Sequence, residues 1–323
     1  MQLIRSAFSR LANVSLTSLR SINVGMNENR DKRNAKWRII PIILMLWLFI
    51  VLCLPSQWSL IEDYGAFSLL GVLGAIFANS TGAGGGVVFI PAFNHFAFTE
   101  SQAVATSFAI QCFGMTAGAL TWWYFYRVEK TELRLWQGFK RVIVVTSLAS
   151  IIGLWGVYAG GIDAPASLQL NFSWFSLILG AFIILTIYMV KPSRDVSQLN
   201  ATDYTCLVLI GLFGGAITAW LSVGVGELLA IYLLLRRFDM AMAVAAAVVV
   251  SACTVWSAIG YHTLHQFNVY WQVVLFAGPG AVLGGLVAKY VVTHLSAIRL
   301  KLFFSVWLLV IGAAGVVPTF LTG

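Results

Sequence analysis

The sequence predicts an all-α polytopic membrane protein, built as an inverted repeat with an extra transmembrane helix near its N-terminus. Of its 323 residues, 59% are hydrophobic and only 10% are charged, whereas a soluble domain averages about 25% charged residues. Two long apolar segments each contain a glycine-rich break, and they align without a gap at an offset of 140 residues. Composition indicates the membrane class, and the aligned breaks indicate the repeat.

The basic residues predict how the chain is oriented. The net charge is +8, but Lys and Arg cluster at the ends of apolar stretches, which is typical of the positive-inside rule and not of a nucleic-acid partner. Eight of the 20 Lys and Arg residues precede residue 39. Residues 1–37 are therefore predicted to be a basic cytoplasmic tail, although their composition also overlaps with that of a transit peptide. Residues 38–55 are predicted to form the extra transmembrane helix.

Two apolar segments have a length that fits neither one nor two crossings. Residues 67–98 and 204–235 comprise 32 residues each, whereas a spanning helix needs about 20. Residues 55–65 carry no Lys or Arg and are predicted to be an external loop, while the basic cluster at 127–141 is predicted to be internal. These two assignments are compatible with the positive-inside rule only if residues 67–98 enter and leave the membrane by the same side, as a re-entrant hairpin. The same reasoning makes residues 204–235 a hairpin from the opposite side.

The prediction is then seven full crossings and two hairpins, with all 20 basic residues cytoplasmic. Repeat 1 covers residues 66–191 and repeat 2 covers residues 203–321. Each repeat has one hairpin followed by three transmembrane helices, and this odd number of crossings inverts the second repeat. Inverted repeats are common in secondary transporters. The N-terminus is predicted to be cytoplasmic and the C-terminus periplasmic.

The glycine-rich breaks predict a binding site. The first break reads FANSTGAGGGVVFIPAF over residues 77–93. Irregular backbone survives at membrane depth only around a protein-lined or watery cavity, and a new helix start there offers N–H groups that favour an anion. The alternative is close helix packing through small residues, which we prefer for Gly280 and Gly284. The candidate substrate-binding residues are Asn79, Ser80, Thr81, Gly84, Gly85, Gly86, Gln111, Ser222, Gly224, Gly226 and Ser251.

Glu227 is the only acidic residue well inside an apolar stretch, and its counterpart in the first repeat is Val87. A charge at mid-bilayer is costly and usually functional. Two roles stay open, a proton-coupling site or a fixed cap that organises the second break. The four cysteines and four histidines show no metal or redox spacing, and no nucleophile–base pair accompanies Glu227. The sequence therefore predicts no metal, no cofactor and no enzyme.

Two stretches resemble the sulfite exporter TauE/SafE family, also described as the toluene-sulfonate uptake permease family. The first is the broken segment with Pro91 and the following AVATS at 103–107, and the second is LSVGVGELLAIYLLLRRF at 221–238. The similarity covers about residues 66–318. The second copy departs from the family pattern, since its glycine run and proline are replaced by Val225, Glu227 and Ile231. The resemblance implies a bacterial-type inner-membrane permease for sulfite, sulfonates or related sulfur compounds, and the departure leaves the substrate open.

We therefore expect a multi-pass permease of the cell inner membrane that moves a small anion by alternating access around the paired breaks. Its expected partners are that anion and the lipid bilayer. The alternatives are a proton-coupled uptake permease for another small organic anion and a non-transporting membrane assembly protein. The sequence leaves open the direction of transport, the coupling ion and the oligomeric state, a homo-oligomer included.

Overall fold

The computed structural model describes residues 41, 45–55, 57–129, 133–164, 166–189, 198–295 and 297–321, and the regular secondary structure among them is helical throughout. The chain divides into an N-terminal unit, Met1–Gln57, and a main body, Trp58–Gly323. In the N-terminal unit the described helix is α1, Met45–Cys53. The predicted basic tail and the beginning of the predicted extra helix lie outside the described residues.

Eleven further α-helices follow in the described part of the chain. They are α2 Gln57–Tyr64, α3 Phe67–Thr81, α4 Gly86–His95, α5 Glu100–Tyr124, α6 Phe139–Gly160, α7 Leu168–Met189, α8 Ala201–Leu221, α9 Val225–Leu235, α10 Met240–Tyr261, α11 Trp271–His294 and α12 Ala297–Leu321. Seven helices of the described ranges are long and apolar enough to cross a membrane, namely α5, α6, α7, α8, α10, α11 and α12. The all-helical membrane fold predicted from composition is confirmed.

Helices α3 and α4 fold back on each other. The ring of Phe67, at the start of α3, lies 5.2 Å from the ring of Phe96, just after α4. A Cβ at Gly74 would lie 2.5 Å from the ring of Phe89, because the two helices are in close contact along their length. A continuous helix would place Phe67 and Phe96 about 40 Å apart. The two ends of the broken segment therefore lie side by side.

Helices α8 and α9 fold back in the same way, but a polar cluster closes their open end. Asp203, at the start of α8, accepts hydrogen bonds from Arg236 Nε at 2.6 Å and Nη2 at 2.9 Å. It also accepts one from the Tyr232 hydroxyl. The hydrogen bonds that Arg236 donates to Asp203 raise the pKa of the Arg236 guanidinium above its ordinary value. This cluster joins the beginning of α8 to the end of α9.

Two segments differ from the sequence-based expectation. Helix α8 has 21 residues, enough for a full crossing, and only its return arm α9 is short, with 11 residues. The longer α8 arises because Asn200 and Asp203 form a capping box that starts the helix before the apolar run. Residues 55–65, expected as a loop, contain α2, which is held by a 2.8 Å hydrogen bond between the hydroxyls of Tyr64 and Tyr270.

Special backbone positions recur at the 140-residue offset. Gly82 and Ser222 end α3 and α8 in the left-handed conformation, with φ of +83° and +59°. Ala97 and Arg237 also have positive φ. Thr99 and Asp239 then cap α5 and α10 by accepting N–H groups of the first turn. These matches support the predicted duplication, while its inversion across the membrane stays a prediction.

The first arm of each hairpin packs on a helix from the other half of the chain. Helix α3 packs on α11, and α8 packs on α6. A Cβ at Gly280 or Gly284 of α11 would overlap the carbonyl oxygens of Ser68 or Val72 of α3. The packing role predicted for these two glycines is confirmed. The break of each hairpin is thereby held in the interior of the main body, where residues 77–90 and 221–227 are all buried.

Candidate functional site

The first tip, residues 82–85, connects α3 to α4. Gly82 ends α3 with a φ of +83°, a conformation that glycine adopts without penalty. The next two glycines point their N–H groups away from the hairpin. Gly84 N–H donates to Glu227 Oε1 at 2.8 Å, and Gly85 N–H donates to Gln111 Oε1 at 2.8 Å. The N–H groups of Gly84 and Gly85 are thus satisfied by side chains from elsewhere in the chain.

The second tip, residues 222–224, connects α8 to α9. Gly224 has a φ of +145°, which favours glycine, and its N–H donates to Glu227 Oε2 at 2.8 Å. Val225 N–H donates to Thr218 Oγ1 at 3.1 Å. Glu227 occupies the third position of α9, where a carboxylate is favoured by the free N–H groups of a helix start. Glu227 therefore caps its own helix with one oxygen.

The two tips touch, and Glu227 binds both of them. One carboxylate oxygen of Glu227 accepts from Gly84 of the first tip and the other from Gly224 of the second. A Cβ at Gly86 would lie 2.7 Å from the Ser222 carbonyl oxygen, and one at Gly226 would overlap the Gly82 carbonyl oxygen. Glycine is required at these positions because two backbones approach each other.

Gln111 of α5 is the second connection between the tips. Its Oε1 accepts from Gly85, and its Nε2 donates to Ser222 Oγ at 2.7 Å and to the Ser222 carbonyl oxygen at 3.1 Å. Its Nε2 also lies 3.0 Å from Ser107 Oγ, which accepts from the Ser222 hydroxyl at 2.9 Å. One buried amide thus orders both tips.

Ser251 of α10 occupies the position equivalent to Gln111 at the 140-residue offset. Its side chain is only 3% exposed, and its hydroxyl has no hydrogen-bond partner among the described residues. A Cβ at Gly226 would overlap this hydroxyl oxygen. Ser251 therefore presents an unpaired polar atom to the second tip.

Three predicted site residues lie beside the tips and not between them. Asn79 donates to the carbonyl oxygens of Ala75 and Gly114, so its amide holds α3 against α5. The hydroxyls of Ser80 and Thr81 donate to the Phe77 carbonyl oxygen of their own helix. The remaining predicted residues lie at the contact between the tips. They are Gly84, Gly85, Gly86, Gln111, Ser222, Gly224, Gly226, Glu227 and Ser251.

Three cavities surround this contact. The space between the tips, lined by Gly84, Gln111, Ser222, Glu227 and Ser251 among others, measures about 10 Å³, close to the volume needed for one water. A vestibule of about 230 Å³ reaches Ala219 and Trp220 at the end of α8, and its lining includes Glu100, Tyr158, Asp163 and His262. A crevice of about 30 Å³ is lined by Thr81, Glu227 and Lys301 together with apolar side chains.

Comparison with known proteins identifies the family. A family model described as sulfite exporter TauE/SafE matches residues 67–315, which is well over half of the chain. The chain belongs to the sulfite exporter TauE/SafE family. Neither a comparison with curated proteins nor one with solved structures gives a match. Membership of this transporter family, together with seven apolar helices of spanning length, makes the chain a multi-pass membrane transporter.

Sequence reasoning missed two residues that the TauE/SafE fold brings to the tips. Thr218 receives the Val225 N–H, and its position four residues before the second break was an available signal. Lys301 of α12 lines the crevice beside Glu227, and the sequence around Lys301 does not predict that the two residues lie near each other. Chemically, the tips of this TauE/SafE chain offer N–H and hydroxyl donors suited to an anion, and a carboxylate occupies two of those donors.

Proposed function

We propose that this chain is an inner-membrane permease that moves a small anion by alternating access around the two tips. Sulfite, a sulfonate or a related sulfur compound is the proposed substrate, in line with the family. The observation that carries the proposal is the direct contact of two broken-helix tips, bridged at Gly84 and Gly224 by Glu227. Closely apposed glycine tips with oriented N–H groups suit an anion, and packing alone does not require them.

The positions of the cavities support alternating access. The vestibule is lined by Gly161, Asp163 and Gln266, which belong to segments that the charge pattern predicts outside. The crevice is lined by Lys301, which is predicted inside. The space at the contact between the tips measures only about 10 Å³. A conformational change that separates the tips toward one side at a time would carry an anion across.

Contacts between loops support the proposed orientation, with a cytoplasmic N-terminus and a periplasmic C-terminus. Tyr64 and Tyr270 share a hydrogen bond, and Glu100 accepts one from Leu168 N–H at 2.9 Å. All four residues lie in or next to segments predicted outside. Arg236, predicted inside, pairs with Asp203 in the first turn of α8, and that helix follows the basic residues 191 and 194, which are also predicted inside.

Flux measurements in proteoliposomes test the proposal. Sulfite, thiosulfate, a sulfonate and a simple carboxylate are offered to the reconstituted protein, and at least one should be transported. Gly84→Val should abolish that flux, since a Cβ at Gly84 already lies 3.2 Å from both Gln111 Oε1 and the Ser222 carbonyl oxygen. Gly156→Val is the matched control, because a Cβ at Gly156 has nothing within 4 Å. Unchanged flux in the Gly84 variant would contradict a site between the tips, whereas a folded wild-type protein that transports none of the probes would favour a non-transporting role.

Proton-coupled uptake of a small organic anion is the second candidate function. It is favoured by Glu227, a carboxylate that is 1% exposed inside the membrane-spanning body. If Glu227 carries a coupled proton, Glu227→Gln should abolish accumulation driven by a pH gradient and preserve exchange of the anion, since Gln keeps the size but does not titrate. Accumulation that survives in this variant would leave the uncoupled permease as the better description.

A further inference from the structure

Glu227 occupies the position that a bound anion would take. Its two carboxylate oxygens accept the N–H groups of Gly84 and Gly224, each at 2.8 Å, and its side chain is 1% exposed. Among the residues that line the space between the tips, Glu227 is the one charged group. The amide donors suited to a substrate anion are therefore filled by a group of the protein itself.

Two further observations show that this arrangement is not the substrate-bound one. The free space between the tips is about 10 Å³, room for about one water, so an anion of several atoms does not fit. The Ser251 hydroxyl lines the same space, is 3% exposed and has no hydrogen-bond partner among the described residues. Buried hydroxyls are normally paired, and a ligand oxygen beside Gly226 would supply the missing acceptor.

A crevice beside Glu227 contains a cation. Glu227 also lines the crevice of about 30 Å³ that contains Lys301. Within the part of the chain that the structure describes, Lys301 forms no hydrogen bond or ion pair. Its ammonium group is the cation of the crevice lining, and the lining side chains other than Lys301, Glu227 and Thr81 are apolar. An ion pair in such surroundings is weakly screened.

We propose that Glu227 is an internal ligand of the transport site, that a small oxyanion binds by displacing it from Gly84, and that Lys301 receives the displaced carboxylate. This inference rests on the proposed transport function. Two negative charges do not share one dry site without strong repulsion, so the carboxylate leaves as the substrate enters. The oxyanion then takes the Gly84 N–H and the Ser251 hydroxyl as donors. Sulfite, sulfonate and carboxylate groups all carry the oxygens needed.

The proposal predicts an unusual effect of Glu227→Gln on substrate affinity. The Gln side chain has one acceptor oxygen, and its NH₂ group faces an N–H donor, so it competes poorly for Gly84 and Gly224. Because an internal competitor reduces the fraction of binding-competent protein, the half-saturation concentration should fall ~tenfold, equivalent to ~1.4 kcal/mol. The measurement is concentration-dependent flux of sulfite and the other probe anions into proteoliposomes without a pH gradient. An unchanged or higher half-saturation concentration would overturn the proposal.

Lys301→Met tests the receiving position separately. In the wild-type background its half-saturation concentration should rise ~tenfold, because the displaced carboxylate loses its partner. In the Glu227→Gln background the same change should have no effect, since no charge is displaced; this non-additivity is the signature of coupled sites. Lys140→Met, at an exposed position of α6, is the control. Equal effects of Lys301→Met in both backgrounds would contradict the role of Lys301.

Two further outcomes are decisive. If Glu227→Gln does not fold, Glu227→Asp replaces it, because the shorter side chain does not span from Gly224 to Gly84 and should also lower the half-saturation concentration. If the wild-type protein moves none of the probe anions while remaining folded, the proposed function and the internal ligand both fail. Transport by wild type with an unaltered Glu227 variant rejects the internal ligand alone.

Discussion

Gln111 is the residue at which stability and the candidate site are most closely connected. Replacing it with Ala leaves the buried Gly85 N–H without its acceptor and the Ser222 carbonyl oxygen without a donor. An unsatisfied buried polar group costs about 1–3 kcal/mol. We expect Gln111→Ala to lower the free energy of unfolding by about that amount, measured by thermal unfolding in detergent. Gln137→Ala, at an exposed turn, should leave it unchanged, and equal stability of both variants would contradict the connecting role.

The structure brings some of the predicted site residues to the contact between the tips and leaves others beside it. Gly84, Gln111, Ser251 and Glu227 came from the aligned breaks and from the helix face that follows each break, and they lie together. Asn79, Ser80 and Thr81 precede the break by one turn, where a short polar side chain is free to bond a carbonyl oxygen of its own helix. Sequence does not distinguish that bond from a ligand contact. Lys301 was missed because its proximity to Glu227 depends on how α12 packs.

At the scale of elements, the polar cluster at the open end of the α8–α9 hairpin should be a strong local stabiliser. Asp203 is 1% exposed and accepts from Asn200, Tyr232 and Arg236. Asp203→Ala removes all of these bonds at once. We expect a loss of about 2–3 kcal/mol in unfolding free energy, less than for a fully buried pair because Arg236 is 35% exposed.

Thermal unfolding in detergent, with flux measured in parallel, checks this expectation. Glu62→Ala is the matched control, since Glu62 is an exposed carboxylate of α2. A melting temperature for Asp203→Ala equal to that of the control would show that the hairpin does not depend on the cluster.

The same polar residues explain why α8 is longer than its apolar run predicts. Its start is determined by the polar Asn200 and Asp203, whereas the apolar run by which we delimited it begins later.

For the whole molecule, the distribution of charge gives a testable orientation. All 20 Lys and Arg residues fall on one side if both broken segments are re-entrant. A reporter fused after Gly323 should therefore give a periplasmic signal, and one fused before Met1 a cytoplasmic signal. A cytoplasmic signal after Gly323 would contradict the orientation, and a fusion after residue 194 serves as the cytoplasmic control.

The all-helical type of the fold and the places of its long helices followed from hydropathy, because the bilayer imposes a length on every crossing, whereas α2 was not predicted. The return of each hairpin was predicted from charge, because a full crossing by residues 67–98 would place the basic cluster at 127–141 outside, and one by residues 204–235 would do the same to Arg236 and Arg237. Neither hydropathy nor charge predicted that α3 packs on α11 and that α8 packs on α6. Small-residue contacts in a membrane are driven by shape, and many glycines of similar spacing compete for each partner.

This exchange of partners between the halves has a consequence during biosynthesis. Helix α3 packs on α11, which begins at Trp271. The Gly84 N–H donates to the carboxylate of Glu227, which lies 143 residues further along the chain. At the usual pace of translation, α11 emerges roughly 10–40 s after α3. Until Glu227 emerges, roughly 7–30 s after Gly84 at the same pace, the first tip has an unsatisfied backbone that hydrocarbon does not tolerate. The nascent N-terminal half must therefore remain sheltered, at the translocon or with an insertase, until its C-terminal counterpart arrives.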